Sequence, residues 1–320
     1  MQLRKLLSRL GSVRFRMSDI PTTPLPQVDP QQDINTAPMR AVDERRAIIE
    51  EGTQELSKAA MVSAANSHLT FGQTTDVGMI RTNNEDSSYV FVSISRTADA
   101  IPEFGIFLVA DGMGGHVDGE FASAAAVRIA AAELMKSVYL PFLTMTDATD
   151  RMPISEALES AFAAAHKHIS DELPAGGTTM TALVVMGNLA HLAHVGDSRC
   201  YLATDGKIDQ ISRDHSYVAR LIELNELAPE EAENHPQKSV LYRAIGLSED
   251  LDVDTMTRRL PPGAMLFLCS DGLSGLVHES EILSYLQKFP PQQACDHLVT
   301  LANARGGNDN ITAVAVKLPG

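Results

Sequence analysis

The chain has 320 residues, 44% of them hydrophobic, enough for one large or two ordinary domains with a buried core. Its formal net charge of −15 argues against a nucleic-acid partner, because phosphate backbones require clustered Lys and Arg. Three cysteines, Cys200, Cys269 and Cys295, are an odd number and too few for a disulfide framework, and read as reduced core residues.

From the N-terminus, Arg4, Lys5, Arg9, Arg14 and Arg16 alternate with Leu3, Leu6, Leu7 and Leu10, a basic amphipathic leader read as an unstructured tail. Residues 18–37 are rich in Pro, Thr, Gln and Asp and read as a disordered linker, and residues 42–65 have helix-forming composition. These features assign residues 1–66 to an N-terminal extension, largely disordered or partly helical, and residues 67–320 to one folded domain. No apolar run approaches the roughly 18 residues of a membrane span, and the apolar stretch of a secretory signal is missing, so a cytoplasmic location is expected.

Apolar runs predict strands at 89–94, 106–110, 179–186, 189–195, 265–269 and 311–316. Gly187-Asn188 and Asp205-Gly206 separate such runs as two-residue hairpin turns do, which predicts antiparallel neighbours. Helices are predicted at 121–135, at 154–169 with Leu158, Phe162, Ala165 and Ile169 on one face, and after Pro290-Pro291, ending at Gly306-Gly307. Helices with one apolar face beside antiparallel hairpins imply a layered α+β sandwich.

Four aspartates sit at the ends of these runs: Asp111 after FGIFLVA, Asp197 in HVGDSR, Asp271 after AMLFLCS, and Asp309 in GGNDN before a strand. A single Asp-Gly after a strand is usually a turn. Four that converge would repel one another unless a cation neutralised them, and hard oxygen ligands suit Mg²⁺ or Mn²⁺. The adjacent glycines would let carbonyls or water approach such an ion. Asp197 has a local alternative, an Asx-turn or a hydrogen bond to Arg199.

Six blocks, TDVGMIRTNNEDSSYV, LVADGMGGHVDGEFAS, GTTMTALVV, LAHVGDSRCYL, LFLCSDGLSGLV and GGNDNITAVAV, resemble in order the signatures of the PPM family, the metal-dependent protein phosphatases of type 2C, in their bacterial form. The resemblance spans about residues 71–316. It implies a four-layer α-β-β-α sandwich of two antiparallel sheets flanked by helices, with a flap insertion at about 213–246. It implies hydrolysis of phosphoserine and phosphothreonine through two Mn²⁺ or Mg²⁺ ions and direct attack of a metal-bridging hydroxide, with no covalent phosphoenzyme.

By the same resemblance Asp111 bridges the ions, the Gly112 carbonyl joins one, and Asp271 and Asp309 hold the other. Glu85 and Asp86 hold metal-bound waters, and Asp197 joins Asp271 at a third, weaker metal site. Arg81, four residues before Glu85, grips the phosphate with its planar fork. Where animal members carry a histidine after Asp-Gly, this chain has Met113; the leaving group's proton would then come from His116 or from water. The implied partners are phosphoprotein substrates and cognate serine/threonine kinases, and a monomer is expected.

Other phosphatase and metal classes lack their motifs. Position 275, six after Cys269, is glycine where a cysteine-dependent phosphatase needs arginine, and neither H-E-x-x-H nor an EF-hand loop is present. Two alternatives remain: a phosphatase of the same fold acting on anti-sigma-factor antagonists, against which Arg81 and RTNNED count, and an inactive phosphoprotein-binding module, against which the intact aspartates count.

Overall fold

Strands whose successive side chains face opposite sides build two antiparallel sheets in the computed structural model, which describes residues 68–95, 101–114, 117–145, 147–232, 235–247 and 250–320. The predicted leader, linker and helix within residues 1–66, and His116, lie outside those residues. One sheet has the order β1 (Thr70–Asp76), β11 (Ile311–Lys317), β10 (Met265–Cys269), β7 (Arg199–Thr204), β8 (Lys207–Gln210). The other runs β2 (Asp86–Ser93), β3 (Phe104–Met113), β5 (Met180–Met186), β6 (Leu189–Val195), β9 (Asp254–Arg259), with β4 (Gly177–Thr178) paired to the end of β3.

The alternation sorts side chains into three apolar layers. On β3, Phe104, Ile106, Leu108 and Ala110 pack under α1 (Val117–Leu134) and α2 (Ile154–Glu172). The intervening Phe107 and Val109 turn inward and meet Cys200, Leu202, Leu266, Leu268, Val314 and Val316 of the other sheet. On the far side Phe267, Ile311, Ala313 and Ala315 pack beneath α6 (Glu279–Lys288) and α7 (Pro291–Ala304). The result is the predicted sequence of helix, sheet, sheet and helix layers. All three cysteines are buried and free.

The hairpins form where predicted: Gly187 has φ 58° between β5 and β6, and Asp205 and Gly206 have φ 51° and 75° between β7 and β8. Several elements were not predicted, β1, β9 and α6 among them. Strands β1 (TFGQTTD) and β9 (DTMTRR) are polar edge strands whose partner sheet, not their own hydrophobicity, holds them extended. Helix α6 carries only two buried residues, Ile282 and Leu286, behind a capping box of His278 and Glu281. Helix α1 also begins at Val117, four residues before the predicted start.

Residues 213–232 and 235–246 carry two short helices, α3 (Tyr217–Glu223), capped by Ser216, and α4 (Pro229–Ala232). Bridges Ser216–Leu241 and Thr178–Ile245 close its base. The second bridge brings its end beside Gly112, which pairs with Thr178.

Candidate active site

The register of β2 against β3 sets Asp86, the first residue of half-buried β2, directly opposite Asp111 near the end of buried β3. Asp271 differs from the expectation of a strand end: it is the first residue of a short helix, α5 (Asp271–Ser274), that follows β10. Asp309 precedes β11, the neighbour of β10, and Asp197 lies in the turn from β6 to β7. Five carboxylates from distant parts of the sequence therefore share one end of the double sheet.

Their mutual influence follows from that placement. Burial, then the charges of Asp86, Asp271 and Asp197, push Asp111 well above the usual carboxylate range. Asp197 is raised likewise by burial and by Asp271, and Asp271 by burial and Asp309. Burial lifts Asp86 to about 7 although hydrogen bonds from Ser270 and Thr312 oppose the shift. Ser270 Oγ donates to Asp86 Oδ2 at 2.7 Å, whereas Asp86 Oδ1 is buried without a hydrogen-bond partner.

An unpartnered carboxylate oxygen amid four further carboxylates fits a hard divalent cation or its water shell. Among the described residues no three acidic, imidazole or thiol side chains form a closed ligand cage. Carboxylate oxygens of this kind suit hard ions such as Mg²⁺ or Mn²⁺.

Glycines after two of the aspartates also serve close backbone packing. A Cβ at Gly112 would stand 2.1 Å from the Gly119 carbonyl and 2.7 Å from that of Glu85. A Cβ at Gly272 would stand 2.1 Å from the Asn310 carbonyl. Both glycines permit backbone to press on backbone, the first seating α1 and the residue before β2 against β3, the second bringing Asp271 to Asp309.

Arg81 is exposed at the rim, and its Nη2 donates to Asp309 Oδ2 at 2.7 Å. That bond, with the nearby charges of Glu85 and Asp111, raises its pKa further. Glu85 is buried beside Gly119 at the start of α1. Arg199 gives Nε and Nη2 to Asp214 at 2.8–3.2 Å and acts on Asp197 through its charge.

Sequence reasoning missed the residues that hold the site together. Asn310 accepts from Glu85 N at 2.8 Å and donates to the carbonyls of Val77 and Asn83, both at 2.9 Å. Thr179 accepts from Asp111 N and bonds Ser198 beside Asp197, while Thr178 Oγ1 donates to the Asp111 carbonyl. Their signal was polar residues inside apolar blocks, GTTMTALVV and GGNDNITAV.

A double sheet with acidic side chains converging at one end and an arginine at the rim has the features of a metal-dependent phosphohydrolase. A profile described as Protein phosphatase 2C matches residues 83–301. The serine/threonine phosphatase stp of Listeria welshimeri is 36% identical over 244 residues, covering 76% of this chain and 93% of that protein. The Mycobacterium tuberculosis phosphatase PstP/Ppp, a crystal structure, aligns with TM-score 0.65 and 33% identity over 79% of this chain and 99% of its own. The catalytic domain of PstP in complex with two manganese ions aligns with TM-score 0.63 and 32% identity over 78% of this chain and 97% of its own. The chain belongs to the protein phosphatase 2C family, the metal-dependent serine/threonine protein phosphatases, in its bacterial form.

Proposed function

We propose that this chain hydrolyses phosphoserine and phosphothreonine in cytoplasmic proteins, acting as a monomer whose catalytic unit is residues 67–320 and opposing the kinases that phosphorylate the same targets. The observation that carries this reading is the convergence of Asp86, Asp111, Asp197, Asp271 and Asp309 beside Arg81. Asp111, Asp271, Asp309 and the Gly112 carbonyl would hold two Mn²⁺ or Mg²⁺ ions. Glu85 and Asp86 would orient the water around them, and Asp197 with Asp271 would hold a third, weaker one. When bound, the pair of ions supplies an acidified water as nucleophile and positive charge for the phosphoryl oxygens.

The chain's own groups do the rest. Arg81, permanently charged and at the rim, grips two phosphate oxygens and orients the ester for in-line attack. Buried Asp86, held by Ser270, orients water through the oxygen that has no protein partner. Residues 213–246, anchored beside Gly112 through Thr178, form the wall against which the substrate chain lies.

The test is hydrolysis of a phosphothreonine peptide by the full chain with Mn²⁺, Mg²⁺ or EDTA, beside Asp271→Asn. Turnover is expected only with metal, and the variant should lose about a thousandfold in kcat, the scale of several kcal/mol of lost charge stabilisation. A folded protein that binds the peptide and turns nothing over would favour a phosphoprotein-binding module instead.

A further inference from the structure

Two large apolar residues stand in solvent immediately before Arg81: Met79 is 67% exposed and Ile80 69%. Exposed apolar residues scattered singly are ordinary. These two are consecutive and adjoin the phosphate-gripping arginine, on a loop tied down along its length. Asp76 Oδ1 accepts from Gly78 N at 2.8 Å and from Asn303 Nδ2 at 3.0 Å. Met79 N donates to the Gly307 carbonyl at 2.8 Å, and Asn310 holds the carbonyls of Val77 and Asn83.

The bracing has two consequences. The loop presents Met79 and Ile80 to solvent in a fixed form, so a partner that covers them does not have to order the loop. In addition, Met79 Cγ leans over Gly307, since a Cβ there would meet it at 2.9 Å, and Gly307 lies two residues from Asp309, the partner of Arg81. The apolar pair and the arginine therefore belong to one continuous rim.

We propose that Met79 and Ile80 form an apolar subsite that receives an apolar side chain flanking the phosphorylated residue of a protein substrate. The proposal rests on the phosphatase reading above. Its occupant follows from continuity with the site. An extended chain advances about 3.5 Å per residue, so neighbours one or two positions from a phosphoresidue held at Arg81 fall within about 7 Å, the reach of the two residues before it. The subsite also supplies attraction that does not depend on charge, which matters for a protein of net charge −15 acting on phosphorylated, negative partners.

The experiment compares phosphothreonine peptides carrying Leu or Ser at the two positions on each side of the phosphoresidue, with the full chain and Mn²⁺. Wild type should prefer the Leu peptides about tenfold in kcat/KM, mainly through KM, the scale of a partly open apolar contact. Met79→Ser with Ile80→Ser, checked for an unchanged melting curve, should bring the ratio near one, and Met79→Leu with Ile80→Val should keep it. A wild-type ratio near one, a ratio that survives the serine pair, or equal loss in the conservative pair would overturn the subsite. Wild-type self-association that disappears in the serine pair would assign the patch to a second copy and overturn it equally.

Failure of the underlying reading is separable. If wild type hydrolyses neither these peptides nor p-nitrophenyl phosphate with either metal, the phosphatase reading falls. Fluorescence anisotropy of the two peptide sets then still decides: the same preference in binding supports the subsite, and its absence removes it.

Discussion

Asn310 illustrates how much of the site rests on a residue with no chemistry of its own. Its buried amide satisfies one amide N–H and two carbonyls of the loop that carries Arg81 and Glu85. Asn310→Ala leaves three backbone groups without partners, at about 1–3 kcal/mol for each that stays buried. The expected loss is about 3 kcal/mol, a fall of roughly 5–10 °C in Tm by calorimetry, with kcat/KM falling alongside.

His194 is a residue of opposite kind, titratable and outside the reaction. It is buried with Nε2–H donating to the carbonyls of Gly196 and Arg213, which leaves Nδ1 to accept from Thr181. Burial, then the nearby His215, depresses its pKa to about 4. The unfolded chain, with an ordinary histidine near 6.5, binds the proton first as pH falls, so His194 costs stability progressively between about pH 6.5 and 4. Urea unfolding at pH 7.5 and 5.0 should show wild type losing about 2 kcal/mol more than His194→Gln. Equal losses in the two chains would remove His194 from the acid sensitivity.

Between elements, the decisive contact is the short helix α5 after β10 against the residues before β11. Gly272 lies so close to the Asn310 carbonyl that an added methyl must force two backbones apart. Gly272→Ala should therefore separate Asp271 from Asp309, and is expected to cost about 2 kcal/mol and about a hundredfold in kcat. An active variant with an unchanged melting curve would show that the two segments part without harm. The pairing of β2 with β3 acts in the same way on Asp86 and Asp111, because a slip of one residue would send Asp111 to the other face.

For the whole molecule, the relevant quantity is the charge of −15 against negative substrates. Long-range repulsion slows encounter and is screened by salt. With a phosphopeptide flanked by Asp and Glu, kcat/KM should rise roughly threefold between about 20 and 150 mM NaCl, and with Lys and Arg flanks it should fall. A common slope for both peptides would mean that the surface around the site is close to neutral despite the total.

The chemistry was legible in the amino-acid sequence because it depends on residue type and short spacing. Aspartates at the ends of apolar runs, most of them beside glycines, marked Asp111, Asp197, Asp271 and Asp309, apolar runs marked most of the inner strands, and turn residues marked both hairpins. What the chain alone did not disclose is non-local. The edge strands β1 and β9 are polar and owe their form to a neighbour, Asp271 begins a helix where a strand end was expected, and Gly112 and Gly272 serve backbone contacts. The support given by Asn310, and the fixed exposure of Met79 and Ile80, likewise emerge only in three dimensions. Which carboxylates face one another is set by sheet register and by contacts between distant segments, as between Glu85 and Asn310, 225 residues apart, and only the folded chain brings such groups together.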